Sequence, residues 1–259
     1  MSKSFSDLKG NSILLVETPW DSRVLNLKTC ELKLIFNDEI HSFLLLFDEV
    51  NEYLKNTGYQ YMQIRCDSNN RDLKHILNSR GYYIAEMSLS LSYANPSKLD
   101  LSKINRINVD LDLVTVEETD ALDFFKEIAH QNFHHGRLIE DVNIDEKFGR
   151  QRSANWIDDL VATPFSLYKA SFRGNLIGFH AERVSEKNNT VNWILTGVSE
   201  KYSVYALPLW SAAFKLAQDN NVANISTMIS ASNTKVLNLY NRFPFRVDGS
   251  WYGFHKIER

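Results

Sequence analysis

The chain has 259 residues, 44% apolar and 12% aromatic, and its 29 Lys and Arg against 32 Asp and Glu give a net charge of −3. That is enough apolar material for a real core, which excludes a disordered chain, and the evenly mixed charge offers no electrostatic footprint for nucleic acid. The longest apolar run, residues 43–47, falls far short of the roughly 20 residues of a membrane span, and the opening MSKSFSDLKGN has no apolar signal region, so a cytoplasmic protein without membrane partners is expected.

In chain order, Cys30 and Cys66 fall in apolar strand-like runs. Their spacing supports neither a disulfide framework nor a zinc site, and buried thiols are expected. A seam follows at ANPSKLDLSKINRIN, residues 94–108, where Pro, Ser and Lys interrupt the apolar pattern. It divides the chain into an N-terminal part, 1–95, and a larger part, 109–259. The second part opens with the strand-like LDLVTV, then a helix with Thr119 as its cap and Leu122, Phe125 and Ile128 on one side. The polar NFHHGR and a helix over 146–160 come next. Three strands, FSLYKASF, LIGFHAERV and TVNWILTGV, follow, the first two joined by a turn at 173–175. A helix over 205–218, the strand NISTMIS, a short helix bearing Tyr240 and a final pair of strands complete the chain. The order predicts an α/β (α+β) fold with a central mixed sheet flanked by helices.

A shift of 163 positions lays residues 30–93 over 193–256 without a gap. Leu32 meets Leu195, Phe47 meets Trp210, Met62, Ile64 and Cys66 meet Ile225, Thr227 and Ile229, and Asn70 meets Asn233. Residue identity is near chance, and what agrees is the order strand, helix, strand, Asn-led helix, strand. Leu77 lies under Tyr240, so the first copy keeps the position and lacks the hydroxyl.

Individual residues admit more than one reading. Val236, Leu239, Tyr240 and Phe243 form an i, i+3, i+4, i+7 stripe, the pattern of a core tyrosine, whereas a phenol titrating near 10 remains a proton donor at neutral pH. Asn233 opens its helix, where an Asn caps free amides. Within NFHHGR, Arg137 with His134 or His135 suits a substrate phosphate, and a solvated loop explains them equally; a metal would lack further ligands. Trp20 and Asp21 either frame an acceptor site or pack. His180 and Glu182 alternate along one strand, as a proton acceptor or as a hydrated face, and no general base is assigned.

Asn233, Leu239, Tyr240, Pro244, Phe245 and Val247 together resemble the C-terminal signature of the GNAT superfamily of acyl-CoA-dependent N-acetyltransferases: an Asn, a helix ending in Leu-Tyr, a turn and a strand. The match covers roughly 150 residues by element order. ETPWDSRVL and NFHHGRLIEDVNIDEKFGRQRSANWI make the whole chain similar, more narrowly, to the dTDP-fucosamine acetyltransferase family, in which a truncated N-terminal GNAT half precedes a complete GNAT domain. The resemblance implies acetyl-CoA as co-substrate and a primary amine on a nucleotide-linked amino sugar as acceptor. It implies Tyr240 as general acid, Asn233 on the CoA arm, and Gly197 and Val198 lending main-chain groups to the pantetheine. The chain departs from the family in SEKYSVYALPLW, where Val204, Ala206 and Pro208 replace the usual glycines. The pyrophosphate then falls to the amides of Val204, Tyr205 and Ala206. Rival readings are a binding module without turnover, or a different acyl donor or acceptor. A homodimer is among the open assemblies.

Overall fold

The computed structural model describes residues 2–37 and 40–258. Its strands and helices are β1 (Ser2–Ser6), β2 (Ser12–Glu17), α1 (Pro19–Leu25), β3 (Thr29–Ile35), α2 (Ile40–Asn56), β4 (Tyr61–Asp67), α3 (Arg71–Ser79) and β5 (Tyr83–Ala94), then β6 (Asp110–Leu113), α4 (Thr119–Asn132), α5 (Glu146–Val161), β7 (Ser166–Phe172), β8 (Asn175–Ser185), β9 (Thr190–Val198), α6 (Ala206–Asp219), β10 (Asn224–Ser230), α7 (Thr234–Tyr240) and β11 (Arg246–Ile257). All the strands join one mixed sheet in the order β1-β2-β3-β4-β11-β5-β10-β9-β8-β7-β6. β3 with β4 and β9 with β10 run parallel, and the other neighbours antiparallel.

The last strand of each part is lodged in the other. β11 lies between β4 and β5, and β5 lies between β10 and β11. The pairing follows the repeat: Trp251 opposes Asp67 in β4, and Ser88 opposes Ser230 in β10, each residue of the first pair standing 163 positions from its counterpart in the second. Both Asn-led helices are capped alike, since the Asn70 side chain accepts from the Leu73 amide at 2.9 Å and that of Asn233 from the Val236 amide at 3.2 Å. The repeat slips by two residues at its first strand, where Cys30 opposes Met62 but Trp193 opposes Thr227.

Exchange joins the cores. Phe43 and Phe47 of α2, Leu73 and Leu77 of α3, and Ile64 of β4 bury Phe254 of β11 among them. Trp210 and Phe214 of α6, Tyr240 of α7 and Ile225 of β10 do the same for Leu91 of β5. On the opposite face, α4 and α5 lay Phe125, Ile128, Ile157 and Leu160 on Leu167 and Phe179. Trp193 faces the first helix layer and its neighbour Ile194 the second, as alternation along a strand requires.

Two of three local expectations need adjustment. Glu118, not Thr119, is the N-cap of α4, and it makes no side-chain capping bond. The turn at 173–175 forms as expected, with Arg173 and Gly174 at φ of 49° and 77°. The expected final pair of strands is one strand, β11, because the break at Val247 to Gly249 is a register irregularity rather than a turn. No described helix is long and apolar enough to cross a membrane.

Candidate functional site

β9 and β10 pair only at their beginnings, Thr190–Trp193 against Asn224–Thr227. Beyond that point β9 runs on to Val198 along β8, and β10 to Ser230 along β5. The strands therefore part, and residues 194–198 and 228–230 turn toward each other backbone edges that no described strand occupies. Such an edge accepts an extended, amide-rich ligand as it would an added strand. Gly178 and Gly197 hold β8 and β9 close here. A Cβ on Gly178 would stand 2.1 Å from the Gly197 carbonyl oxygen, and one on Gly197 would stand 2.8 Å from Phe179 and 2.9 Å from Ile128. The Asn132 amide donates to the Val198 carbonyl at 3.0 Å, tying α4 to the end of β9.

Tyr240 sits beside the parting point and is 5% exposed. Its ring packs edge-on to Phe245 at 4.9 Å and to Trp210 at 6.1 Å, and lies tilted to Trp193 at 6.4 Å. Its hydroxyl faces the Thr227 side chain and the Trp210 indole; burial pushes the phenol's pKa up, against those two contacts. The hydroxyl thus remains protonated across the neutral range, but aromatic side chains enclose it in this conformation. The residue is in the core, as its stripe predicts, and it borders the strand gap through Thr227, the last residue of β10 paired with β9.

Residues 200–205, where the resemblance implies a pyrophosphate loop, form a short 3-10 segment leading into α6. The Tyr202 amide donates to the Ser199 carbonyl at 2.8 Å, and the Ala206 amide to that of Ser203. The Ala206 amide, expected to meet an anion, thus makes its hydrogen bond within the segment. Tyr205 packs on Phe172 at 4.5 Å, and Val204 is 77% exposed.

The face of the sheet opposite α2, α3, α6 and α7 is polar where the exchanged strands meet. Alternation places Gln63 and Arg65 of β4, Gly253 and His255 of β11, Glu86 and Ser88 of β5, and Ser230 of β10 on that face. The segment between α4 and α5 closes over it. Buried Asp21, in the first turn of α1 behind Pro19, accepts from Arg137 Nη2 at 2.7 and 2.8 Å and from Arg152 Nε at 3.2 Å. Asp141 accepts from the Tyr83 hydroxyl at 2.9 Å and the Asn143 amide at 2.9 Å, and meets His255 Nδ1 at 2.7 Å. The Tyr61 hydroxyl contacts the same imidazole at 3.0 Å. Burial raises the Asp141 pKa, but the His255, Asn143 and Tyr83 contacts outweigh it and hold the carboxyl below its ordinary value. Burial lowers the His255 pKa despite Asp141. Glu140 accepts from Ser230 at 2.6 Å, Ser232 at 2.8 Å and the Gly136 amide at 3.0 Å. A narrow cleft of about 20 Å³, room for a water molecule, is lined by Glu31, Gln63, Arg65, Glu86, Arg137 and His255.

The residues singled out in the sequence disperse. Arg137 and Asp21 meet, so the guanidinium expected to grip phosphate already holds a carboxylate. Trp20 stays partly exposed beside Asp21. His134 Nδ1 lies 3.1 Å from Arg150, whereas His135 Nδ1 lies 2.8 Å from Ser232, so the paired histidines turn to different partners. His180 and Glu182 share a face as read, 3.2 Å apart, but both are buried, with His180 edge-on to Trp193. Asn233 is an N-cap, and Cys30 and Cys66 are free and buried. Asp141, His255 and Glu86 were not singled out. AEMSLSLS, with Glu86, Ser88 and Ser90 alternating between apolar residues, carried the signal.

No family model matches the sequence, and no curated protein matches it either. Solved structures do match. A GCN5-related N-acetyltransferase from Sphaerobacter thermophilus aligns at TM-score 0.65 and 11% identity over 95% of this chain and 76% of that one. A tandem GNAT protein from the clavulanic acid biosynthesis pathway aligns at 0.62 and 11%, over 95% and 78%. The fold is that of the GCN5-related N-acetyltransferases. A conserved protein of unknown function from Staphylococcus epidermidis aligns at TM-score 0.67 and 12% identity, over 100% of this chain and 95% of that one. These alignments cover 95% or more of this chain, so the likeness in fold extends through the N-terminal part.

Proposed function

We propose that this chain is an acyl-CoA-dependent N-acyltransferase that takes acetyl-CoA between β9 and β10 and delivers the acetyl group to a primary amine. The observation that carries the reading is the parting of these parallel strands after Trp193 and Thr227. Gly197 and Val198 bring main-chain groups to one side of the gap, and Asn233 and Tyr240 border the other. A nucleotide-linked amino sugar is the acceptor that the sequence resemblance suggests. Trp20, Asp21, His134, His135 and Arg137 would border its site, with Arg137 held in place by Asp21.

The chemistry is direct attack. The neutral amine forms the new C–N bond as the C–S bond breaks, and no acyl-enzyme is needed; the buried Cys30 and Cys66 lie in the N-terminal core, away from the gap. Tyr240 keeps its proton and donates it to the departing thiolate, a role worth roughly 10² to 10⁴ in rate. Parting Trp193 and Phe245 from its ring is the rearrangement that ligand binding must drive. The amides of Val204 and Tyr205 lie at the start of α6, where the helix end favours an anion.

A second reading, a ligand-binding module without turnover, is favoured by one observation: the glycine-free segment over 200–205 has spent its Ala206 amide internally. Thermal shift with acetyl-CoA, then product analysis with a panel of nucleotide amino sugars, separates them. Stabilisation with thiol release supports the enzyme, stabilisation without release supports the module, and no stabilisation contradicts both.

A further inference from the structure

Three hydrogen-bonding groups meet beside the strand gap, and the repeat shows that packing does not require them. Thr227 of β10, Trp210 of α6 and Tyr240 of α7 are the counterparts of Ile64, Phe47 and Leu77. Those three are buried together in the N-terminal core, so the scaffold fills the same places with hydrocarbon alone. In the C-terminal part they hold a hydroxyl, an indole N–H and a phenol. Trp210 is fixed by its helix, where it forms a buried i, i+3, i+4, i+7 stripe with Ala213, Phe214 and Ala217.

Counting donors and acceptors assigns the roles. Thr227 Oγ1 donates its one proton to the Trp193 carbonyl at 3.0 Å, so toward the Tyr240 hydroxyl it can only accept. The phenol proton therefore points to the residue where β9 and β10 part. An indole nitrogen can only donate. Trp210 packs edge-on to the phenol ring and faces its hydroxyl, but its buried Nε1–H has no hydrogen-bond partner among the described residues. Buried donors are normally paired, and the acceptor that this one faces is the phenol oxygen.

We propose that Trp210 is a positioning residue for Tyr240: its indole N–H closes onto the phenol oxygen when acyl-CoA enters, aiming the phenol proton at the sulfur. This rests on the acyltransferase reading. As the neutral amine forms the C–N bond, the C–S bond breaks and its electron pair stays on sulfur. The sulfur takes the Tyr240 proton, the new amide nitrogen loses one to solvent, and the phenolate recovers one from water. A hydrogen bond to an ionised oxygen is stronger than one to a neutral oxygen, so the indole helps most while the phenol gives up its proton.

The test uses the full chain, acetyl-CoA and a panel of nucleotide amino sugars, hexosamine phosphates, amino acids and polyamines, with thiol release as readout. The parent, Trp210→Phe, Tyr240→Phe and the double variant form a cycle. Phe47 shows that the fold accepts Phe at the equivalent place, and benzothienylalanine in place of Trp210 keeps the ring shape and removes only the N–H. Either change should lower kcat roughly tenfold and leave the KM for acetyl-CoA and its thermal shift unaltered. In the Tyr240→Phe background the same change should alter kcat by less than about twofold, because the indole acts only through the phenol. A kcat within twofold of the parent, or an equal loss in both backgrounds, overturns the proposal and leaves the acyltransferase reading intact. Absence of both thermal shift and thiol release in the parent overturns both.

Discussion

Ser88 lies directly opposite Trp251 across the β5–β11 pair, and these two residues are each other's counterparts in the repeat (251 − 88 = 163). The pseudo-twofold axis of the molecule therefore runs between them. β5 and β11 are equivalent strands paired antiparallel about that axis, and each completes the half to which it does not belong in sequence.

One consequence is cooperative unfolding. Phe254 is fully buried in the N-terminal core although it stands near the C-terminus. Phe254→Ala should cost about 3 to 5 kcal/mol, as large-to-small core changes do, and lower a single transition shared by both parts. Urea unfolding followed by tryptophan fluorescence, which reports mainly the C-terminal part, and by far-UV circular dichroism should give coincident curves. Separate midpoints would show that exchange does not couple the halves.

Much of this fold was legible in local pattern. The repeat, both Asn caps, the 173–175 turn and the helix positions rest on periodicity and cap chemistry within short windows. The exchange was not legible, because nothing local to β11 says that its neighbours are β4 and β5. The polar face was hidden for the same reason: Glu86, Asp141 and His255 lie in three segments that only the sheet order brings together. Tyr240 was readable as a core residue from its i, i+3, i+4, i+7 stripe, and it is buried.

Asp21 is a second joint between the parts. Its carboxylate is fully buried and holds both Arg137 and Arg152. Asp21→Asn would leave two guanidiniums facing each other without a counter-charge, and it should destabilise the fold by roughly 3 to 5 kcal/mol, the scale of a broken buried ion pair. Equilibrium denaturation reads the value. A change under 1 kcal/mol would mean that solvent already screens the pair.

Acid should weaken the protein in two steps. His255 has a folded pKa below its ordinary 6.5, so the unfolded chain binds its proton first and stability falls as pH drops below that value. Asp141, also depressed, contributes stability above its ordinary 3.8 that is lost as pH falls through its lower folded value. Both slopes have the same sign. Urea midpoints should decline from pH 7.5 to 5, and Asp141→Asn should lower the midpoint at pH 7.5. A midpoint that rises on acidification would contradict the assignment of a neutral His255.

Tyr240 can be tested without disturbing its packing. Tyr240→Phe keeps the ring contacts with Trp193, Trp210 and Phe245 and removes the donor. It should preserve the acetyl-CoA thermal shift and cut turnover by roughly 10²-fold or more. Unchanged turnover would leave the residue a role in the core alone.

The central claim is that the gap after Trp193 and Thr227 holds the acyl-CoA arm, and hydrogen–deuterium exchange with and without acetyl-CoA reads it at the backbone. Amides in peptides covering 194–198 and 228–230 should gain protection when the ligand is present at saturating concentration. Protection confined to other segments, with these two stretches exchanging as before, would contradict the account.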